Sequence, residues 1–280
     1  VLDPVFAVDP GETIVVETIN HMTPVVRSEK DLHAHGSPEY REREETGPIH
    51  VRGARPGDTL AIRIEGIEIV GLPHAYGAGP LADVYPQRPL IFPVREQRCL
   101  LPGGISLPLA PMVGDIYTTP AVPEPPYPDH GGNMDFAGVC PGSILYLPVY
   151  HDGGLLVLGD VHALQGEGEL YGEGAETAAD VTVTIDVSRR YHCPRPLLET
   201  ASDLTCLASR ESLFDSIRVA MQDMVQLLSQ YYSISQADAY VLCSIAGSLR
   251  LAGSLSRRDS TQKWLWVGLS VSKDIRLDPA

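Results

Sequence analysis

Apolar and polar residues alternate in several short stretches over the first two thirds of the chain. Leu60, Ile62 and Ile64 are separated by Ala61 and Arg63, and Val181, Val183, Ile185 and Val187 by Thr182, Thr184 and Asp186. Ile14, Val16 and Thr18 keep the same rhythm near the start. A period of two places alternate side chains on opposite faces of an extended chain, and β-branched residues suit a pleated, half-buried surface. Leu155–Leu158 is apolar without a break, which predicts a strand covered on both faces. Frequent glycine and proline punctuation (Gly 26, Pro 24) shortens these segments further.

Beyond about Pro196 the period lengthens. Leu213, Ile217, Met221, Met224, Leu228 and Tyr231 recur every three or four residues, the spacing of one helical face packed on a core. Ser209 is the predicted N-cap of this helix. Ser235 and Asp238 form a capping-box pattern that opens a second helix, from Gln236 to about Leu249. Trp264–Val271 reads as a closing strand. The predicted fold is therefore mainly β, a sandwich- or barrel-like body over residues 1–196. A C-terminal α/β portion, residues 197–280, packs on it, making the class α+β overall.

Charge narrows the function. Lys+Arg 21 against Asp+Glu 36 gives a net charge of −15. This excludes a basic footprint for nucleic acid and disfavours an anionic membrane surface. A small neutral or cationic molecule, or a divalent ion held by carboxylates, fits. The longest apolar runs, such as Ile144–Val149, fall short of a membrane span, and no basic segment followed by an apolar one opens the sequence. Five cysteines without CxxC spacing suit a reducing compartment, so the expected location is cytoplasmic. Cys140, flanked by Val139 and Pro141, reads as a packed thiol rather than a nucleophile.

Two glycine-rich stretches carry metal-capable side chains: Asp129-His130-Gly131-Gly132-Asn133-Met134-Asp135, and Gly159-Asp160-Val161-His162 continuing to Glu169. In an extended segment, Asp160 and His162 share a face, and a carboxylate beside an imidazole is half of a divalent site. Asp135 is the candidate third ligand. The same spacing also fits a turn-capping Asp160 and a hydrogen-bonded buried His162. A competing pattern, His33-Ala34-His35 with Glu39 and a distant His151, resembles the metal motifs of cupin oxygenases, although its halves lie unusually far apart.

Several ordered segments resemble the acetamidase/formamidase family. They are Thr46–Ile49 with Gly53–Leu60, Pro108–Gly114, His130–Asp135, Leu147–Val149, Gly159–Glu169, Glu176 with the strand Val181–Val187, and Ala237–Tyr240. The resemblance spans nearly the whole chain. It implies hydrolysis of small aliphatic amides to a carboxylate and ammonia, a mostly β fold, a divalent metal in the site and a homo-oligomer of two or more copies. Three places depart from the family pattern. Glu167 replaces the aspartate of a common G-D-G-E run, Asn20-His21 stands about where relatives carry Asp-Ala, and the His33–His35 loop has no clear counterpart. On this reading Asp135, Asp160 and His162 hold the ion, expected to be zinc with calcium as the alternative. Glu169 is the general base, with Glu167 as the substitute, and Asn133 and the N–H groups of Gly131 and Gly132 face the developing oxyanion. His130 lines the substrate pocket. The principal alternative is a non-catalytic binding member of the same fold.

Overall fold

The computed structural model describes residues 2–20, 26–32, 45–77, 79–85, 88–253 and 265–276. His33, His35 and Glu39 of the alternative histidine pattern, and His21, lie outside the described residues.

Strands dominate. The first half contributes β1 (Phe6–Val8), β2 (Glu12–Thr18), β3 (Thr46–Val51), β4 (Thr59–Ala75), β5 (Leu90–Ile91), β6 (Val94–Arg95), β7 (Arg98–Leu100), β8 (Ser106–Pro108), β9 (Met112–Thr118) and β10 (Gly131–Asn133). The second half contributes β11 (Ile144–Pro148), β12 (Leu156–His162), β13 (Glu176–Val187), β14 (Leu197–Glu199) and β15 (Asp203–Arg210). It ends with the helices α1 (Leu213–Tyr232) and α2 (Gln236–Ala246) and the strands β16 (Gly247–Ala252) and β17 (Leu265–Ser272). Among the described residues fourteen strands share one mixed sheet, whose main path runs β1-β3-β12-β13-β4-β11-β14-β15-β17-β16. The mainly β expectation holds. The path crosses residue 196 without interruption, because β11 pairs with β14 through Leu145↔Leu198.

The alternation read from the sequence sets the layers. Ile62 lies between Ile185 of β13 and Leu145 of β11, and all three are fully buried. With Leu60, Ile64, Leu147, Leu156, Leu158, Val181 and Val183 they belong to the larger core. Burying each such side chain stabilises the fold by about 1.5–3 kcal/mol. The neighbours of opposite phase, Ala61 and Tyr146, pack instead with the second core, where Ala220, Met224 and Leu228 of α1 meet Cys206, Leu269 and Val271. Leu156, Val157 and Leu158 are all buried, as an unbroken apolar strand requires.

Three local expectations need correction. Ser209 does not cap α1: it sits in β15 opposite Trp266, buried, while Ser212 accepts the Asp215 N–H and caps the helix. Leu213 and Tyr231, at the ends of the predicted apolar face, are exposed, and the face turns towards Ser216, Ala220, Met224 and Leu228. The second helix begins at its Ser235 cap as expected but stops at Ala246, because Gly247–Ala252 pairs with β17, placing Leu249 opposite Leu269. Sheet pairing overrides helical propensity there. Among the described residues no helix is long and apolar enough to cross a membrane.

Candidate active site

Adjacent strands and their connecting loops deliver the acidic residues to one place. β9 pairs with β12 through Gly159↔Asp115 and Val161↔Val113, so Asp160 faces Gly114. β12 pairs with β13 through His162↔Glu176, and β4 lies beyond, with His74 opposite Glu176. Asp135 follows β10, and Glu169 comes from the loop between β12 and β13.

Two overlapping groups result, Asp135–His162–Glu169 and Asp160–His162–Glu176, each with potential ligand atoms within 4.8 Å of one another. His162 Nε2 lies 3.0 Å from Glu176 Oε2 and 3.4 Å from Asp160 Oδ1. Asp135, His162, Glu169 and Glu176 are buried and Asp160 nearly so. Asp160 is not extended, as the sequence reading assumed. Its φ is 52°, in the left-handed region, yet its carboxylate still reaches the imidazole. Asp135 and Glu169 share this conformation, each with φ 41°. A non-glycine residue held there costs roughly 1–3 kcal/mol, and such strain gathers at functional sites.

Glycines make room. A Cβ on Gly114 would stand 2.7 Å from Asp135 Oδ1 and 2.8 Å from the Asp160 carbonyl oxygen, so the space above this glycine is taken by the acidic groups. A Cβ on Gly174 would meet His162 Nδ1 at 2.7 Å. Gln165 bridges the cluster, with Oε1 2.5 Å from His162 Nδ1 and Nε2 donating to the Asp135 carbonyl at 2.6 Å.

Burial works against an imidazolium at His162, but Glu176 and Asp160 outweigh it and hold its pKa well above the ordinary imidazole value. Burial also pushes Glu176 up to about 8, against the opposing pull of His162. Both shifts favour proton retention, because negative charge concentrated in a dry interior is costly. A cation can take the place of those protons. The donor set of carboxylates and one imidazole suits a divalent ion, zinc or calcium.

Asn133 donates through Nδ2 to Asp135 Oδ2 at 2.5 Å, while its buried Oδ1 has no hydrogen-bond partner among the described residues. Since a carboxylate accepts, the amide nitrogen must face Asp135, and the oxygen is the atom left to a ligand. This differs from the oxyanion-donor role expected for Asn133. The Gly131 N–H is likewise already given to the Pro128 carbonyl. Gly131 and Gly132 both adopt positive φ as β10 runs beside β9. His130 packs edge-on against Tyr117 at 5.8 Å, and burial lowers its pKa to about 4, despite Asp129. Glu167 points elsewhere and ion-pairs with Arg250. His151, of the alternative pattern, bonds through its ring to the Pro120 carbonyl.

The structure brings together Asp135, Asp160, His162 and Glu169, all candidates from the sequence, and adds Glu176, Gln165, Gly114 and Glu173, whose carboxylate accepts the Tyr76 N–H. Glu173 and Glu176 continue the acidic spacing of the 159–169 segment, which was the available signal.

A family model described as the Acetamidase/Formamidase family matches residues 118–256. The structure of an acetamidase from Bacillus halodurans is similar with a TM-score of 0.84 and 30% identity, covering 97% of this chain and 92% of that one. A predicted acetamidase/formamidase from Thermoanaerobacter tengcongensis gives a TM-score of 0.87 at 27% identity, over 97% and 90% of the two chains. A formamidase of Methylophilus methylotrophus is 32% identical over 114 residues, 39% of this chain but only 28% of that protein.

Proposed function

This chain belongs to the acetamidase/formamidase family, and from that premise we propose that it hydrolyses small aliphatic amides to a carboxylate and ammonia at the His162 cluster. The observation that carries the proposal is the convergence of Asp135, Asp160, His162, Glu169 and Glu176 in two overlapping groups. Asp135, Asp160 and His162 are the proposed holders of a divalent ion, zinc first and calcium second, with Glu176 beside the same ring nitrogen as Asp160. When bound, such an ion supplies an electrophile for the amide oxygen and a lower pKa for water.

The remaining work falls to this chain's side chains. Asn133 Oδ1 accepts a hydrogen bond from the substrate –NH₂ group and orients the amide. Glu169 takes a proton from the attacking water and returns it to the departing nitrogen, which must leave as ammonia because an amide anion is a poor leaving group. Burial excludes bulk water, which strengthens every charge interaction in the site and favours short acyl groups. The chain is proposed to act in the cytoplasm as a homo-oligomer.

Ammonia release from formamide, acetamide and propionamide, before and after chelation and with zinc or calcium restored, tests this reading. Expected is release from at least one amide, lost on chelation and regained with one ion. Ion binding without release from any amide would instead make the chain a non-catalytic binding member of the fold.

A further inference from the structure

We propose that Gln165 is the positioning residue of His162, fixing which ring nitrogen the site presents; this rests on the cation site proposed above. The Asp135 carbonyl oxygen only accepts hydrogen bonds. The Gln165 atom 2.6 Å from it must therefore be the amide nitrogen. The amide oxygen is then the atom 2.5 Å from His162 Nδ1. That oxygen also only accepts, so Nδ1 carries a hydrogen. Once a cation replaces the Nε2 proton, the tautomer is thus set by a backbone carbonyl two links away, and the Gln165 amide cannot be flipped without placing two oxygens against each other.

With Nδ1–H committed, Nε2 is the nitrogen turned towards Glu176 and Asp160 and left to a cation. Gly174 completes the arrangement. Its backbone lies against the imidazole so closely that a Cβ would stand 2.9 Å from His162 Cγ, which blocks a shift of the ring in that direction. Gln165 also ties the His162 ring to the backbone of Asp135, a residue that arrives from β10. Two donors from separate parts of the chain are thereby held at a fixed separation. An imidazole that gives its second N–H to an oxygen is better oriented and more basic towards a metal.

The test uses the full chain, metal-free, titrated with zinc alone in competition with a chromophoric chelator. Gln165→Leu, which removes both hydrogen bonds, is expected to weaken zinc binding roughly 10–100-fold. Gln165→Glu keeps an oxygen against Nδ1–H and, protonated among the surrounding acids, gives its O–H to the Asp135 carbonyl, and is expected to recover most of that loss. In ¹⁵N-edited proton spectra of the same proteins, a downfield, slowly exchanging His162 Nδ1–H signal should appear in the parent and in Gln165→Glu, and should move upfield or broaden through exchange in Gln165→Leu, where no oxygen holds it. Equal zinc affinity in parent and Gln165→Leu, even with lowered thermal stability, overturns the proposal, as does a parent lacking the Nδ1–H signal. If the parent binds no zinc, the cation reading fails, and the Nδ1–H signal still decides the role of Gln165.

Discussion

Glu176 and Glu199 are both buried carboxylates within one continuous sheet, yet their surroundings differ in kind. Glu199 accepts from the Tyr146 hydroxyl at 2.9 Å and meets Arg190 at 3.0 Å and Lys273 at 2.9 Å. Nearby, Arg195 grips Asp223 with two hydrogen bonds of 2.5 Å, and Arg210 pairs with Asp129 at 2.8 Å. Each of these three acids, Glu199, Asp223 and Asp129, is matched by a cation supplied by the fold. At Glu176 several acids instead converge on a single imidazole, three of the cluster's residues sit in left-handed conformations, and glycines clear the space. Matched charge holds a fold together. Convergent, strained charge needs a reason outside the fold, and substrate and cation chemistry provide one.

The largest expected effect tests the convergent side. Glu176→Gln removes the carboxylate nearest His162 Nε2 while keeping the side chain's shape. Amide turnover should fall by at least roughly 100-fold. The metal-free protein should fold as stably as the parent or more so, because burial already disfavours the charged form of Glu176. A variant that turns over amides like the parent but unfolds earlier would place Glu176 with Glu199, as a structural acid.

Glu199→Gln should do the reverse, leaving turnover intact while lowering stability by about 1.5–3 kcal/mol, read from the urea midpoint at neutral pH. Its pH dependence sharpens the contrast. Burial works to raise the Glu199 pKa, but Lys273, Tyr146 and Arg190 together bring it below the ordinary value of 4.5. A carboxyl whose folded pKa is lowered contributes fully above its unfolded value and loses that contribution as pH falls through the folded one. The difference between parent and Glu199→Gln should therefore be constant above about pH 5 and shrink below 4.5. A gap that widened on acidification would contradict the assignment.

What could be read from the sequence divides along the same line. Strands with a strict period of two, such as Val181–Val187, were legible because each residue's face follows from its neighbours alone. The caps were only partly legible: Ser235 stands where its spacing to Asp238 put it, whereas Ser209 was claimed by a strand whose partner, Trp266, lies far along the chain. The candidate site followed suit. Asp160 and His162 are close in sequence, and their spacing pointed to each other. Glu176 and Gly114 reach them only through the β12–β13 and β12–β9 registers, which no local pattern encodes. The glutamine at 165 carried no signal of its own, because its part depends on a carbonyl thirty residues earlier.

Glu167 and Glu169 provide the narrowest version of the contrast, two glutamates separated by one glycine. The sequence pointed to Glu169 for proton transfer, with Glu167 as its substitute. In the structure Glu169 is buried with Asp135 and His162, while the Glu167 side chain is 37% exposed and ion-pairs with Arg250, itself 33% exposed. A pair at that exposure is screened by water and contributes little, about 0–1 kcal/mol. Arg250 also stacks over the Phe136 ring at 4.5 Å, a contact that survives without Glu167. Glu167→Gln should therefore give the smallest effect, with turnover unchanged and a stability loss of about 0.5 kcal/mol or less, whereas Glu169→Gln under the same assay should lose turnover. If instead the Glu167 variant loses turnover and the Glu169 variant keeps it, proton transfer belongs to the exposed glutamate, and the loop between β12 and β13 must rearrange to bring it inward.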